Sequence, residues 1–180
     1  PAGWPRVFPF EVFLFLFLVL TGYLITGSLL RERDRSEARG GTWKAAALKT
    51  YQIRRGLRIL APYYAALALA WIVRAPDVVG SGLPWYLFHV SNFHMAVLGY
   101  WPSGTNHFWS LAMQQQFYLI WPFAIWFLPR RLLVPVILGF TAIGPVSRMF
   151  HDVFLPWFAW PQVLTWACFD YFGIGALFAL

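Results

Sequence analysis

Residues 12–30 form a run of nineteen without a charged side chain, and few folds other than a membrane-crossing helix accommodate such a run. As an α-helix it is about 28 Å long, close to the thickness of the hydrocarbon core of a bilayer. Only 12% of the 180 residues are charged, whereas 59% are hydrophobic and 21% are aromatic. A water-soluble domain typically carries about twice that charge. The sequence therefore predicts an all-α membrane protein.

Further apolar segments follow at intervals that predict a polytopic bundle of about five transmembrane helices. The predicted spans are residues 12–30, 59–73, 108–128, 132–147 and 162–180. The aromatic segment 85–100 holds two histidines and an asparagine and is shorter than a typical span. We therefore interpret it as interfacial or re-entrant.

Positive charge is concentrated in one segment of the chain. Residues 31–58 hold nine of the fourteen lysines and arginines and carry +6 of the net charge of +7. Arg130 and Arg131 form a second basic site between two predicted spans. Because basic residues favour the cytoplasmic side of a membrane, both are predicted to be cytoplasmic, with 31–58 as a basic loop.

Three arginines in the stretch YQIRRGLRILAPYY are candidates for binding an anion. On a helix Arg54 and Arg58 lie one turn apart and Arg55 lies three residues before Arg58, so all three point to one side. Planar guanidinium groups near the start of a helix make a good phosphate site. Basic residues also commonly flank the cytoplasmic end of a membrane span, and this explains the same pattern without a ligand. The residues alone leave both interpretations open.

The stretch HFWSLAMQQQFYLIWPF places three consecutive glutamines in an apolar run. On a helix Ser110, Gln114 and Tyr118 lie along one stripe, at spacings of four residues. Polar side chains in lipid must find partners, so this stripe is expected to face other helices or a polar cavity. Structural hydrogen bonds between helices and the lining of a substrate tunnel are both consistent with it.

Two acidic residues, Glu11 and Asp170, lie in or near apolar spans and are further candidates for lining a tunnel. Ionisable groups within a membrane are costly and are functional candidates for that reason. Glu11 is also explained by a position at the membrane interface. Asp170 lies in the middle of a predicted span, where such an explanation is harder.

Several kinds of site are not predicted by this sequence. The four histidines lack the paired spacing of a metal site, so no metal is expected. No glycine-rich phosphate loop and no G-x-S-x-G turn is present. The basic segment lacks aromatic residues in register with it, which argues against a nucleic-acid partner.

Four segments resemble the membrane enzymes of acyltransferase family 3, the O-antigen and exopolysaccharide acetylase type. HFWSLAMQQQFYLIWP is similar to the signature H-x-W-S-L-A-V-E-E-Q-F-Y-L-x-W-P. FLVLTGYLI resembles F-F-V-L-S-G-F-L-I, and FDYFGIGALFAL resembles a later segment in which Asp170 precedes G-x-L. The R-x-x-R element of the family falls on Arg55 and Arg58. The order and spacing of the four segments also fit the family.

The resemblance implies a multi-pass enzyme of the bacterial inner membrane, with residues 1–180 as part of one transmembrane acyltransferase domain. Such enzymes move acetyl or other short acyl groups from cytoplasmic acyl-coenzyme A to a hydroxyl of a saccharide or glycolipid. Acyl-coenzyme A is thus a donor substrate, and no bound cofactor is expected. Arg55 and Arg58, with Arg54 beside them, would hold its phosphates.

The chain departs from the family pattern at three positions. The family's catalytic histidine matches no residue here and would lie before Pro1, together with the first span, so the catalytic residue is unassigned. The family's glutamate falls on Gln114, and an amide cannot take a proton near neutral pH. The acid before F-F-V-L-S-G falls on Phe15, although Glu11 lies one helical turn earlier on the same face. We therefore expect these 180 residues alone to be inactive.

Two other functions remain consistent with the sequence. A glycolipid transporter or flippase would also place a polar stripe inside a membrane bundle, and it would not need the lost carboxylates. A catalytically inactive scaffold for other membrane enzymes is a third reading. Binding of coenzyme A separates the acyltransferase from a flippase.

Overall fold

The computed structural model of the protein describes residues 10–40, 43–75, 78, 80, 82–98, 105 and 107–180, apart from the side chains at 10, 11 and 154. Within these residues all regular structure is helical, so the all-α prediction is confirmed. The α-helices are α1 (Phe10–Arg39), α2 (Lys44–Ile72), α3 (Leu83–Leu87), α4 (Ser91–Leu98), α5 (Phe108–Phe127), α6 (Arg130–Met149), α7 (His151–Phe154) and α8 (Phe169–Leu177). Two short 3-10 helices, Pro161–Val163 and Thr165–Cys168, precede α8.

Two of the described helices contain stretches long and apolar enough to cross a membrane. They are Val12–Arg39 in α1 and Arg130–Met149 in α6. Large apolar side chains such as Leu24 of α1 and Leu138 of α6 are more than half exposed. Exposed apolar surface on this scale is what a lipid-facing helix requires. The number of five spans is a prediction that the structure does not confirm.

The predicted basic loop at 31–58 is mostly helical. Residues 31–39 continue α1, and residues 44–58 are the first half of α2, which then runs on through the predicted span 59–73. Neither stretch contains a proline, and a single glycine such as Gly56 is tolerated within a helix. The mixed charges of residues 31–39 are also well tolerated on an exposed helix face. The basic side chains are therefore carried on two helices.

The predicted span 162–180 is not one continuous helix. Its first part forms the two 3-10 helices, between which Leu164 has an extended backbone with ψ of 141°. The nine residues of α8 then carry Asp170 in their first turn. The aromatic segment 85–100 is likewise broken, because His89 adopts a φ of +55° between α3 and α4. Such a left-handed conformation cannot continue a helix.

Helix α5 is the most buried of the long helices and forms the centre of the described core. Its buried aromatic side chains include Phe117, Trp121 and Trp126. The indole of Trp121 donates a hydrogen bond to the Thr26 hydroxyl at 2.7 Å, and that of Trp126 donates to the Leu29 carbonyl oxygen at 2.9 Å. Both tryptophans thus pack in the core and satisfy their only donor.

Helices α1 and α8 approach until their backbones touch at two glycines. A Cβ atom at Gly22 would overlap the carbonyl group of Phe172, and one at Gly175 would overlap the backbone of Val19 and Tyr23. Small residues allow such close packing, which is the usual way in which helices associate in lipid. The pair of glycines fixes the position of α1 against α8.

A buried arginine joins α1 to the end of α5. The Arg33 guanidinium donates to the carbonyl oxygens of Ile125 and Leu128 at 2.5 and 2.9 Å, and its Nε donates to Glu37 at 2.7 Å. These carbonyl groups lie at the end of α5. No N–H group of a following helical turn is available there to donate to them. A cation at this end also interacts favourably with the helix dipole.

Candidate functional site

A cleft of about 690 Å³ lies between the second half of α1 and the first half of α2. Trp126 of α5 contributes to its wall. The described lining residues are Ser28, Leu29, Glu32, Arg35, Ser36, Arg39, Trp43, Ala46, Ala47, Thr50, Tyr51, Arg54, Arg55, Arg58 and Trp126. The cleft is therefore built from the two helical arms that the sequence predicts as one loop.

Positive charge dominates this cleft. All three arginines singled out in the sequence, Arg54, Arg55 and Arg58, line it, and α1 adds Arg35 and Arg39. The described lining includes one carboxylate, that of Glu32. Guanidinium groups gathered in this way favour an anion with several negative charges, such as a group of phosphates.

The two arginines from α1 were not singled out from the sequence. The sequence pattern could have identified them, because Arg35 and Arg39 belong to the basic segment 31–58 and lie four residues apart on one helix face. Which side of α1 would face α2 depends on tertiary packing, which the pattern does not encode.

Aromatic side chains cover the apolar part of the cleft. Trp43 and Tyr51 both make edge-to-face contacts with Trp126, with ring centroids 6.0 and 5.8 Å apart. Burial raises the pKa of the Tyr51 hydroxyl to about 12, although the nearby Arg55 guanidinium opposes this shift. Tyr51 is therefore a neutral hydrogen-bond donor at physiological pH and not a base.

The cleft is connected to the glutamine stripe of α5 through Arg55. Its guanidinium carbon lies 4.3 Å from the centroid of the Tyr118 ring, which is a cation–π contact. The Tyr118 hydroxyl donates to Gln114 Oε1 at 3.3 Å. The structure thus brings together Arg55, Tyr118 and Gln114, which the sequence placed in two separate motifs.

Ser110, the third member of the predicted stripe, has a local partner. Its hydroxyl donates to the carbonyl oxygen of His107 at 3.0 Å, in the first turn of α5. Ser110, Gln114 and Tyr118 are all buried, so the stripe faces the interior of the bundle. Whether it lines a tunnel remains a prediction.

Several buried polar atoms on α2 and α5 have no hydrogen-bond partner among the described residues. They include the hydroxyl of Tyr51, Nε of Arg55, Nε2 of Gln114 and Oε1 of Gln115. A buried polar atom without a partner costs about 1–3 kcal/mol, so such atoms are uncommon in native structures. Three of these four atoms are donors.

The third glutamine of the run has a structural role that was not predicted from the sequence. Gln116 Nε2 donates to the carbonyl oxygen of His89 at 2.8 Å and to Asn92 Oδ1 at 3.0 Å. Asn92 in turn donates to the Thr165 hydroxyl at 2.9 Å, and Thr165 donates to Gln116 Oε1. This closed network joins α4, α5 and the 3-10 segment before α8.

Asp170, one of the two predicted acidic residues, is not among the described residues that line the cleft. Asp170 forms an ion pair with Arg148 of α6, with 2.7 Å between Oδ2 and Nη2. The Arg148 guanidinium also donates to the carbonyl oxygen of Ala167. The side chain of Glu11 lies outside the described part of the structure. In the described residues no three histidine, cysteine or acidic side chains are grouped to hold a metal.

Similarity to curated proteins decides the family. The peptidoglycan O-acetyltransferase OatA of Listeria monocytogenes is 30% identical over 152 residues, covering 73% of this chain and 23% of that protein. The chain is of the acyltransferase family 3 type. YrhL of Bacillus subtilis is 32% identical to this chain over 122 residues, which cover 59% of the chain and 18% of YrhL. YrhL is provisionally assigned the same activity as OatA.

A third relative, an uncharacterized protein of Haemophilus influenzae, is 27% identical over 120 residues and is covered to 46% of its length. The family 3 chain therefore spans less than half the length of each of these curated relatives. No family model matches the chain. No solved structure matches it either.

Proposed function

We propose that the protein moves an acetyl or other short acyl group from acyl-coenzyme A to a hydroxyl of a cell-envelope saccharide or glycolipid. The observation that carries this proposal is the cleft with five arginines on α1 and α2. The names of OatA and YrhL support an O-acetyltransferase and make peptidoglycan the first acceptor to test. They favour transfer chemistry over a flippase.

Each side of the proposed donor site has a chemical task. The guanidinium groups of Arg54, Arg55 and Arg58 bind the phosphates of coenzyme A, because bidentate contacts to phosphate oxygens are strong and directional. The cleft opens at the basic end of α1, which we place on the cytoplasmic side of the bacterial inner membrane, where acyl-coenzyme A is found. The apolar surfaces of α1 and α6 contact lipid.

The proposed reaction forms an ester and releases coenzyme A. The acceptor oxygen bonds to the thioester carbonyl carbon, the carbon–sulfur bond breaks, and the hydroxyl proton is transferred overall to the sulfur. Neither Gln114 nor the neutral Tyr51 accepts this proton near neutral pH. The residues of the cleft therefore bind and orient the donor, and a base supplied by another part of the protein takes the proton.

The proposal is tested by acyl transfer in lipid vesicles. Radiolabelled acetyl-coenzyme A and a peptidoglycan acceptor are supplied, and the KM for the donor is measured. Removing one charge-assisted contact costs about 1.5–3 kcal/mol, so Arg55→Ala and Arg58→Ala should each raise this KM about tenfold or more.

The exposed Arg131, which does not line the cleft, provides the control. Arg131→Ala should leave the KM unchanged, since it removes the same charge from the same face. Equal KM values for all three variants and the wild type would refute the phosphate role of the cleft.

A further inference from the structure

One end of the cleft holds an aromatic side chain that the proposed phosphate contacts do not use. Trp43 lines the cleft and is only partly buried, whereas Trp126 beside it is 1% exposed. The contact between the two indoles is edge-to-face, so it occupies at most one face of Trp43. Part of the Trp43 indole is therefore open to a ligand in the cleft.

The position of Trp43 along α2 places it at the end of the cleft away from the predicted span. Trp43 directly precedes α2, and the lining residues Ala47 and Tyr51 follow at spacings of four residues, on the same helix face. From Trp43 to Arg58 the helix rises about 22 Å. Beyond Arg58, α2 continues into the predicted span 59–73. Trp43 thus marks the outer end of the cleft, and Arg58 marks its inner end.

Positive charge lies at the same outer end. Arg39 is the last residue of α1, and it lines the cleft four residues before Trp43. A flat aromatic side chain stacks on a nucleic-acid base, and a guanidinium group binds a phosphate. Trp43 and Arg39 together therefore suit an adenosine whose ribose carries a phosphate. Coenzyme A has this structure at its nucleotide end, where the ribose bears a 3′-phosphate.

We propose that the outer end of the cleft binds the adenosine 3′-phosphate of coenzyme A, with the adenine stacked on Trp43 and the 3′-phosphate held by Arg39. This inference rests on the proposed function and assigns the recognition of the donor's nucleotide end. Arg54, Arg55 and Arg58 then hold the diphosphate of the same molecule, further along α2. The thioester end points towards the membrane. The subsite selects a coenzyme A thioester over an acyl group carried on phosphopantetheine alone.

Stacking on Trp43 has a direct spectroscopic signature. Etheno-coenzyme A carries a fluorescent modified adenine, and its emission falls when that base stacks on an indole. The emission should therefore fall when this probe binds the vesicle-reconstituted wild type, and Trp43→Leu should abolish the fall. Trp71→Leu removes an exposed tryptophan of α2 that is not among the described residues lining the cleft, and it should quench the probe as the wild type does.

A comparison of ligands separates stacking from packing. Trp43→Leu should weaken the binding of coenzyme A about tenfold or more, because a stacked base contributes on this scale. Trp43→Phe keeps an aromatic face and should weaken it less. 4′-Phosphopantetheine lacks the nucleotide, so both variants should bind it as the wild type does. This unchanged binding also establishes that the variants are folded.

The 3′-phosphate contact has its own readout. The wild type should prefer coenzyme A to dephospho-coenzyme A about fivefold, a modest factor because Arg39 is exposed and its contact is screened by solvent. Arg39→Ala should remove this preference and keep the quenching of etheno-coenzyme A. Arg131→Ala, which removes an exposed charge outside the described cleft lining, should keep the preference.

The outcomes separate this inference from the proposed function. Binding of etheno-coenzyme A without loss of emission, or quenching retained in Trp43→Leu, overturns the adenine subsite while the phosphate role of the α2 arginines stands. Equal weakening of coenzyme A and 4′-phosphopantetheine by Trp43→Leu would assign this side chain to packing alone and also overturns it. An Arg39→Ala variant with the wild-type preference overturns the 3′-phosphate contact. A wild type that binds no coenzyme A overturns the proposed function and this inference with it.

Discussion

Replacing Arg33 by methionine should destabilise the protein by about 3 kcal/mol. The substitution keeps most of the apolar stem but removes two hydrogen bonds to α5 carbonyls and one to Glu37. Each charged hydrogen bond contributes about 1.5–3 kcal/mol, and the Ile125 carbonyl is left buried without this partner. Relaxation of the helix end and access of water to Leu128 recover part of the loss.

The single cysteine of the chain provides the assay. Cys168 is 1% exposed, so a thiol-reactive fluorophore labels it on unfolding. In detergent micelles, a loss of about 3 kcal/mol should lower the labelling midpoint by about 6–12 °C for a protein of this size. The control variant is Arg31→Met, which lies two residues earlier on the opposite side of α1. It should shift the labelling midpoint by less than about 2 °C. Equal midpoints for Arg33→Met and wild type would refute the capping role of Arg33.

Two further predictions concern helix packing in the same bundle. Gly175→Ala places a Cβ against the backbone of Val19, so it should cost about 3 kcal/mol or more and lower the midpoint of the labelling assay. Arg148→Leu leaves the Asp170 carboxylate without its ion-pair partner and should cost about 2 kcal/mol, because the pair is only partly buried. The double variant Arg148→Leu/Asp170→Leu should recover much of this loss in melts followed by tryptophan fluorescence.

Each of these predictions has a matched control. The control for Gly175 is Gly139 of α6. Apart from the neighbouring residues of its own helix, no described atom lies within 4 Å of where a Cβ atom at Gly139 would be. Gly139→Ala should therefore be neutral or slightly stabilising. Equal effects of alanine at 139 and 175 would contradict close packing of α1 on α8. A double variant no more stable than Arg148→Leu would contradict the cost assigned to the unpaired carboxylate.

The sequence predicts the helical class well because apolar periodicity and charge depletion are local properties. The run 108–128 was predicted within one residue of α5, since no helix breaker interrupts it before Pro122 and its ends are marked by His107 and Pro129. The predicted span 162–180 is not one continuous helix, because the backbone of Leu164 is extended, and the apolar composition of this segment does not signal that break. Propensity is a weak guide wherever tertiary packing overrides it.

The candidate site was predicted only in part, for a similar reason. The spacing of Arg54, Arg55 and Arg58 is local, so their common face was visible in the sequence. The contact of Arg55 with Tyr118 joins residues 63 positions apart and follows from how α2 meets α5. Asp170 was predicted as a tunnel residue because it is an acid in the middle of an apolar stretch. Its ion pair with Arg148, 22 positions earlier, depends on the packing of α8 against α6 and was not visible in the sequence.

The most direct test of the proposed donor site is an equilibrium titration of the vesicle-reconstituted protein with coenzyme A. The wild type should bind saturably, dephospho-coenzyme A should bind more weakly, and the paired Arg55→Ala/Arg58→Ala variant should lose at least about 100-fold in affinity. Arg131→Ala should titrate as wild type. A wild type that shows no saturable binding, or a paired variant that binds as tightly as the wild type, would contradict a coenzyme A site in this cleft.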